Sequence, residues 1–103
     1  MKKTTIAACL LAAASSAFAA TETYQIDPRH TYPVFEVNHL GYSLQRGRFN
    51  KATGQITIDT AAKKGSVQLT IDVNSLDMGF ADWDKHMLSE DFFNVAKYPT
   101  MTY

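Results

Sequence analysis

The sequence predicts an all-β fold of antiparallel strands with one short helix. The clearest evidence is the segment 66–73, where Val67, Leu69, Ile71 and Val73 alternate with polar residues. Such alternation is typical of a strand with one buried and one solvated face. A second run with the same period spans residues 34–39.

The remaining strands are predicted from shorter patterns. Residues 23–27 alternate between polar and apolar types and end before a proline. Segments 44–50 and 54–59 predict one long or bent strand, with Gly47 and Gly54 at bulge or turn positions.

The spacing of the apolar residues changes after the alternating segment 66–73. Large apolar side chains recur at helical spacing within residues 80–89, which predicts a short helix with Asp77 or Asp82 as a cap at its start. Residues 91–93 predict an aromatic turn, and residues 100–103 predict the beginning of a further strand. We therefore expect an open sheet with exposed edges.

Residues 1–19 are predicted to be a secretory signal peptide. Lys2 and Lys3 precede an apolar run, and residues 17–19 have the small-x-small pattern of a cleavage site. Cleavage is expected after Ala19, with Ala20 as the less favoured alternative. The apolar run is shorter than the roughly 20 residues that a membrane-spanning helix needs.

Cys9 is the single cysteine of the 103 residues, and it lies within the predicted leader. Its setting loosely resembles a lipobox, but it comes too early after the lysines, so a lipoprotein is the minor alternative. A mature chain from residue 20 would have no disulfide. It would carry eight basic and ten acidic residues, because Lys2 and Lys3 are removed from ten basic ones. This balance argues against nucleic-acid binding, and the leader indicates a periplasmic location.

The mature chain carries an ordered set of short motifs. They include Tyr24-x-Ile26-Asp27-Pro28-x-His30-Thr31, Val37-x-His39-Leu40-Gly41, Arg46-Gly47-Arg48-Phe49-Asn50, Asp84-x-His86-Met87 and Ser89-x-Asp91-Phe92-Phe93-x-Val95-x-Lys97-Tyr98-Pro99. Any one motif is weak, but the ordered set is specific, and it resembles the YceI-like family of bacterial polyisoprenoid-binding proteins. The resemblance covers essentially the whole mature chain and departs mildly at Tyr32-Pro33, Asn38 and Met87.

The resemblance implies a lipocalin-like antiparallel β-barrel of about eight strands. It also implies a ligand with an isoprenoid tail, such as a quinone, and no other cofactor. Members of the family extend well past residue 103. Residues 20–103 are therefore expected to be the N-terminal part of one lipid-binding barrel domain, and the barrel is expected to be incomplete.

Apolar side chains on the predicted inner faces are the candidates for the ligand tunnel. The same side chains would fill the core of any barrel, so the pattern leaves both roles open. The predicted lining residues are Phe35, Val37, Leu69, Ile71, Val73, Trp83, Met87, Phe92 and Phe93.

His30, His39 and His86 are the candidate polar residues near a ligand head group. No compact metal motif is present. His39 is in phase with Phe35 and Val37, which favours a hydrogen-bonded interior histidine over a metal ligand.

Three function classes follow from these patterns. The preferred one is a periplasmic carrier that binds or transports a lipid without catalysis and touches a membrane only transiently. The second is a small hydrolase or metal-dependent enzyme that uses Asp27, His30 and His39. The third, a piece of an outer-membrane barrel, is disfavoured because the strands keep polar outer faces. The oligomeric state does not follow from the sequence.

Overall fold

The computed structural model describes residues 20–103, which form two antiparallel sheets and one short helix. The predicted leader, residues 1–19, lies outside the described residues. The helix α1 spans Ala81–Leu88. The strands are β1 (Glu22–Gln25), β2 (Val34–His39), β3 (Ser43–Phe49), β4 (Ala52–Asp59), β5 (Lys64–Asp72), β6 (Leu76–Asp77) and β7 (Thr100–Thr102).

The larger sheet has the strand order β1-β4-β5-β7, and the smaller sheet has the order β2-β3-β6. All neighbouring strands are antiparallel. The predicted fold class, antiparallel strands with one short helix, is confirmed. Within residues 20–103 the two sheets are not closed into a barrel.

The prediction of one long or bent strand over residues 44–59 is wrong, because β3 and β4 belong to different sheets. The chain passes between the sheets at Asn50 and Lys51. The Asn50 N–H donates to the Ser75 carbonyl oxygen at 3.0 Å, and the Lys51 N–H donates to Ser75 Oγ at 2.9 Å. Both acceptors belong to Ser75, which is distant in sequence. The alternation of residues 44–59 therefore did not reveal that the chain changes sheets there.

Gly47 and Gly54 lie inside strands rather than at bulges or turns, which corrects the prediction. A Cβ at Gly47 would lie 2.5 Å from Cζ of Phe35, directly across the β2–β3 pair, and would also collide with the Met78 sulfur. A Cβ at Gly54 would collide with the backbone carbonyl of Gln68 on β5. Both glycines permit close approach of neighbouring groups.

The strand predicted over residues 66–73 is confirmed as far as Asp72. Its predicted apolar face is only partly covered, because Leu69 and Ile71 are half-buried whereas Val67 is 46% exposed. Val73 instead begins a 3-10 turn, Val73–Ser75, that was not predicted, and its side chain is fully buried. This turn leads into β6, which pairs with the end of β3. The short β6 was also missed, because two residues are too few to establish a period.

The predicted helix is confirmed, with α1 inside the expected range, but its predicted caps are wrong. Phe80 is the N-cap and makes no side-chain capping bond. The Asp77 carboxylate instead accepts from the Gly79 N–H at 2.9 Å, and Asp84 Oδ1 accepts from the Met78 N–H at 2.6 Å. These bonds hold the turn before the helix. In the described part of the chain, no helix is both long and apolar enough to cross a bilayer.

The core lies between the two sheets and α1. Its centre is aromatic: Phe49 packs 5.5 Å from Phe35 and 5.4 Å from Phe93, measured between ring centroids. Half-buried side chains from both sheets pack around this centre, including Ile71 and Met101 of the larger sheet. The buried members of the cluster are Phe49, Val73, Leu76, Met78 and Met87.

Replacing Gly54 with Ala should lower the free energy of unfolding by about 1–3 kcal/mol, the usual cost of overpacking. The added methyl would meet backbone of β5, which cannot move aside as a side chain can. Urea unfolding measures the loss. Gly65→Ala is the control, because its Cβ would lie 3.3 Å from the Thr57 carbonyl oxygen. Equal losses for the two variants would contradict this explanation.

Candidate functional site

An open apolar cavity of about 300 Å³ lies between β2 and the segment that begins near the end of α1. Apolar side chains form most of its wall, and one carboxylate residue, Glu36, completes it. The apolar lining residues are Phe35, Val37, Met87, Phe92 and Phe93.

The alternation of β2 places Phe35 and Val37 on the inner face of the smaller sheet, where both are half-buried. Glu36 lies between them in sequence and was not predicted as a lining residue. Its Oε1 accepts a hydrogen bond from Nε of Arg46 at 2.7 Å on β3. The Arg46 guanidinium balances the negative charge of Glu36. Strand alternation places the Glu36 side chain on the face opposite Phe35 and Val37, so the sequence pattern contained no signal for it.

The turn after α1 supplies the aromatic wall, as predicted for residues 91–93. The Phe93 N–H donates to the Met87 carbonyl oxygen at 2.9 Å, and the Asn94 N–H donates to the Ser89 carbonyl oxygen at 2.8 Å. These bonds fold the chain back over the helix end. The Phe93 ring then meets Phe35 edge-on, with 5.4 Å between centroids.

Four predicted lining residues do not line this cavity. Val73 is 1% exposed and belongs to the buried core. Ile71 and Trp83 pack against that core from its edges. Leu69 lies half-buried on the inner face of β5. Strand alternation identifies which side chains point inward, but it does not separate core filling from cavity lining.

The three histidines do not converge. His30 Nδ1 lies 2.7 Å from Asp27 Oδ2 in the turn after β1, and both side chains are exposed. His39 is on the inner side of β2 but exposed at its end, so the expectation of an interior histidine is wrong. Its ring lies 6.0 Å from that of Trp83.

His86 lies on α1, at the rim of the cavity. Its ring meets Phe92 edge-on at 5.0 Å, and its Nε2 is 3.9 Å from Asp91 Oδ2. Of the three residues of the predicted enzyme site, Asp27 and His30 form a pair in the turn after β1, whereas His39 lies apart from them at the end of β2. Within residues 20–103, no three His, Cys, Asp or Glu side chains are grouped so that they could hold a metal ion.

The pKa of Asp27 lies below its ordinary value, chiefly because the His30 side chain donates a hydrogen bond to the carboxylate. The Arg29 N–H adds a second bond at 2.9 Å. Since the carboxylate is favoured in the folded state, its contribution to stability is present above the unfolded pKa of about 4. That contribution is lost as the pH falls through the lower, folded pKa.

Replacing His30 with Ala should raise the pKa of Asp27, because the strongest hydrogen bond to the carboxylate is removed. Carboxyl carbon NMR across a pH titration measures this pKa directly. Arg29→Ala is the control, since it keeps the backbone N–H donor and should shift the pKa less. A larger shift in Arg29→Ala than in His30→Ala would contradict the assignment.

Comparisons with known proteins agree with the motifs in the sequence. A UPF0312 protein of Vibrio cholerae is 45% identical over 107 residues, which cover 100% of this chain and 57% of the relative. A UPF0312 protein of Pseudomonas aeruginosa is 41% identical over 108 residues, covering 100% of this chain and 56% of the relative. The chain thus spans about half the length of these relatives.

The crystal structure of Burkholderia cenocepacia BcnA shares the fold with a TM-score of 0.60 at 32% identity. The match covers 69% of this chain and 45% of that chain. The model of the YceI-like domain matches residues 24–103, which is most of the sequence. The chain belongs to the YceI-like domain family.

Proposed function

We propose that this protein is a carrier that binds an isoprenoid-tailed lipid, such as a quinone, without a catalytic step. The observation that supports this function best is the open cavity of about 300 Å³ between β2 and the aromatic turn. Its wall is apolar apart from Glu36, and Glu36 is already paired with Arg46. Such a wall suits a hydrocarbon chain.

The energetics of burial favour this ligand class. A tail of roughly 15–20 carbons gains about 12–16 kcal/mol when buried, at about 0.8 kcal/mol per CH₂. Immobilising protein and ligand offsets several kcal/mol of this gain. A cavity near 300 Å³ is at the small end for ligand sites. We infer that residues 20–103 are the N-terminal part of one barrel domain, whose other strands extend the wall.

The head group requires polar partners near the cavity mouth. His86 is the best placed of the predicted histidines, because its ring contacts Phe92 of the cavity wall. His39 lies on the strand that supplies Phe35 and Val37, two residues beyond the cavity. His30 pairs with Asp27 in the turn after β1 and does not line the cavity.

Organic extraction of detergent-free protein followed by mass spectrometry tests the carrier function. A stoichiometric isoprenoid lipid is the expected result. Repeatedly empty extracts from folded protein that also fails to bind added quinone would refute the function. Metal analysis of the same sample tests the alternative of a metal-dependent enzyme.

Periplasmic delivery through a cleavable leader is part of the proposal. In an expressing bacterium, the exported protein should begin at Ala20, because residues 17–19 fit the small-x-small pattern. Intact mass and N-terminal sequencing measure the cut. A lipid-modified chain beginning at Cys9 would show that the lipoprotein alternative is right instead, and Cys9→Ser is the matched control for it.

Replacing Phe92 with Ser should weaken quinone binding about tenfold, which corresponds to about 1.4 kcal/mol of lost apolar contact. Phe92 lines the cavity and is 51% exposed, so its removal should disturb the core little. Calorimetric titration with a short-tailed quinone measures the affinity. Phe80→Ser is the matched control, because Phe80 is 57% exposed and outside the cavity. Equal weakening in both variants would argue against this cavity as the site.

A further inference from the structure

The hairpin between β2 and β3 has a tightly fixed tip at residues 40–42. Asn38 Oδ1 accepts a hydrogen bond from the Gly41 N–H at 2.7 Å. The Tyr42 N–H donates to the His39 carbonyl oxygen at 3.0 Å. In this turn, Leu40 has φ of +56° and Gly41 has φ of +77°. The tip therefore holds a leucine in the left-handed region.

A leucine at this backbone position is unusual. Glycine or asparagine adopts the left-handed conformation at a lower cost than a bulky residue does. The Leu40 side chain is 80% exposed and Tyr42 is 91% exposed, so neither side chain gains packing within residues 20–103 in return. Nearby Leu44 is 57% exposed. Strained backbone that carries such side chains indicates a function outside the fold itself.

The end of the hairpin carries no ionic group that would resist entry into a bilayer. Residues 37–45 contain no aspartate, glutamate, lysine or arginine. The nearest ionic groups lie further along the strands and face opposite charges: Arg46 pairs with Glu36 at 2.7 Å, and Arg48 lies opposite Asp77 in the β3–β6 register. The tip can therefore enter an apolar layer without burying an ion pair partner.

The tip is also close to the lipid cavity. Val37 lines the cavity, and Leu40 lies three residues further along the same chain, which is roughly 10 Å in an extended strand. Between them, the His39 ring lies 6.0 Å from Trp83. A lipid that moves between the tip and the cavity therefore has a short path along β2.

We propose that this tip docks the protein on a lipid bilayer, with Leu40 and Tyr42 inserted into the interfacial layer. The inference rests on the carrier function and identifies the surface where the carrier collects or releases its lipid. Leucine and tyrosine are typical of side chains that enter this layer.

A protein partner fits the tip less well than a bilayer does. Leu40, Tyr42 and Leu44 together offer roughly 450 Å² at most. A standard protein interface buries about 800 Å² on each partner. The tip is also a projecting turn, so a rigid partner would need a matching cavity, whereas a bilayer deforms around it.

A nitroxide label at Ser43→Cys, in a Cys9→Ser background of the full chain, tests the docking. Ser43 is exposed and directly follows the tip. With vesicles of phosphatidylethanolamine and phosphatidylglycerol, the label should become accessible to oxygen and protected from a water-soluble nickel chelate. A label at Ser66→Cys on β5 should remain in water. Equal accessibility of the two labels, whether both immersed or both aqueous, would overturn the proposal.

Substitutions at the tip separate insertion from folding. Leu40→Asn and Tyr42→Ser should each lower the fraction of immersed Ser43 label about tenfold. Leu40→Asn should not lower the thermal midpoint, because asparagine tolerates the left-handed backbone. Tyr103→Ser is the matched control, since Tyr103 is 86% exposed and follows β7 of the larger sheet. An unchanged immersed fraction in both tip variants, or an equal loss in Tyr103→Ser, would refute insertion of the tip.

The vesicles contain no isoprenoid, so this test is independent of cavity binding. Calorimetric titration of the same variants with a short-tailed quinone, without vesicles, measures the cavity alone. Retained quinone binding with an aqueous Ser43 label would reject the docking surface and leave the carrier function standing. An immersed label with no quinone binding would reject the carrier function instead.

Discussion

The packing of three phenylalanine rings, one of them against Gly47, is the interaction on which the rest of the structure depends. Phe35 lies opposite Gly47 across the β2–β3 pair, and the missing Cβ leaves room for its ring. That ring contacts both Phe49 and Phe93 within 5.5 Å between centroids. Strand β3 and the turn after α1 are thereby joined through β2, and the cavity forms beside the same rings.

The second constraint is the place where the chain passes from one sheet to the other. Ser75 joins the two passages, because its Oγ accepts from the Lys51 N–H and donates to the Asp72 carbonyl oxygen at 2.6 Å. The Asp72 N–H in turn donates to the Lys51 carbonyl oxygen at 3.0 Å. The two sheets are thus connected at one hydrogen-bonded junction, where β3 and β5 end and β4 and β6 begin. The aromatic cluster can then form between them without a disulfide among residues 20–103.

The cavity wall and the core are built from the same side chains. This explains why some predicted lining residues line the cavity while others belong to the core. Phe35, Val37 and Met87 line the cavity while also packing on the core. Val73 follows the same alternation, yet the 3-10 turn carries it into the buried cluster. A residue's inward direction is a local property, whereas its access to a ligand depends on which distant segments cover it.

The sequence by itself determined the strand periods, the helix within residues 80–89, the aromatic turn and the family, because each depends on neighbouring residues or on an ordered set of motifs. Only the tertiary structure decided where residues 44–59 divide between the sheets, since Ser75 makes the deciding bonds from about 25 residues away. The tertiary structure also showed that His39 lies beside Trp83, apart from the pair formed by Asp27 and His30. Contacts between residues distant in sequence leave no periodic pattern, so residue types alone could not assign them.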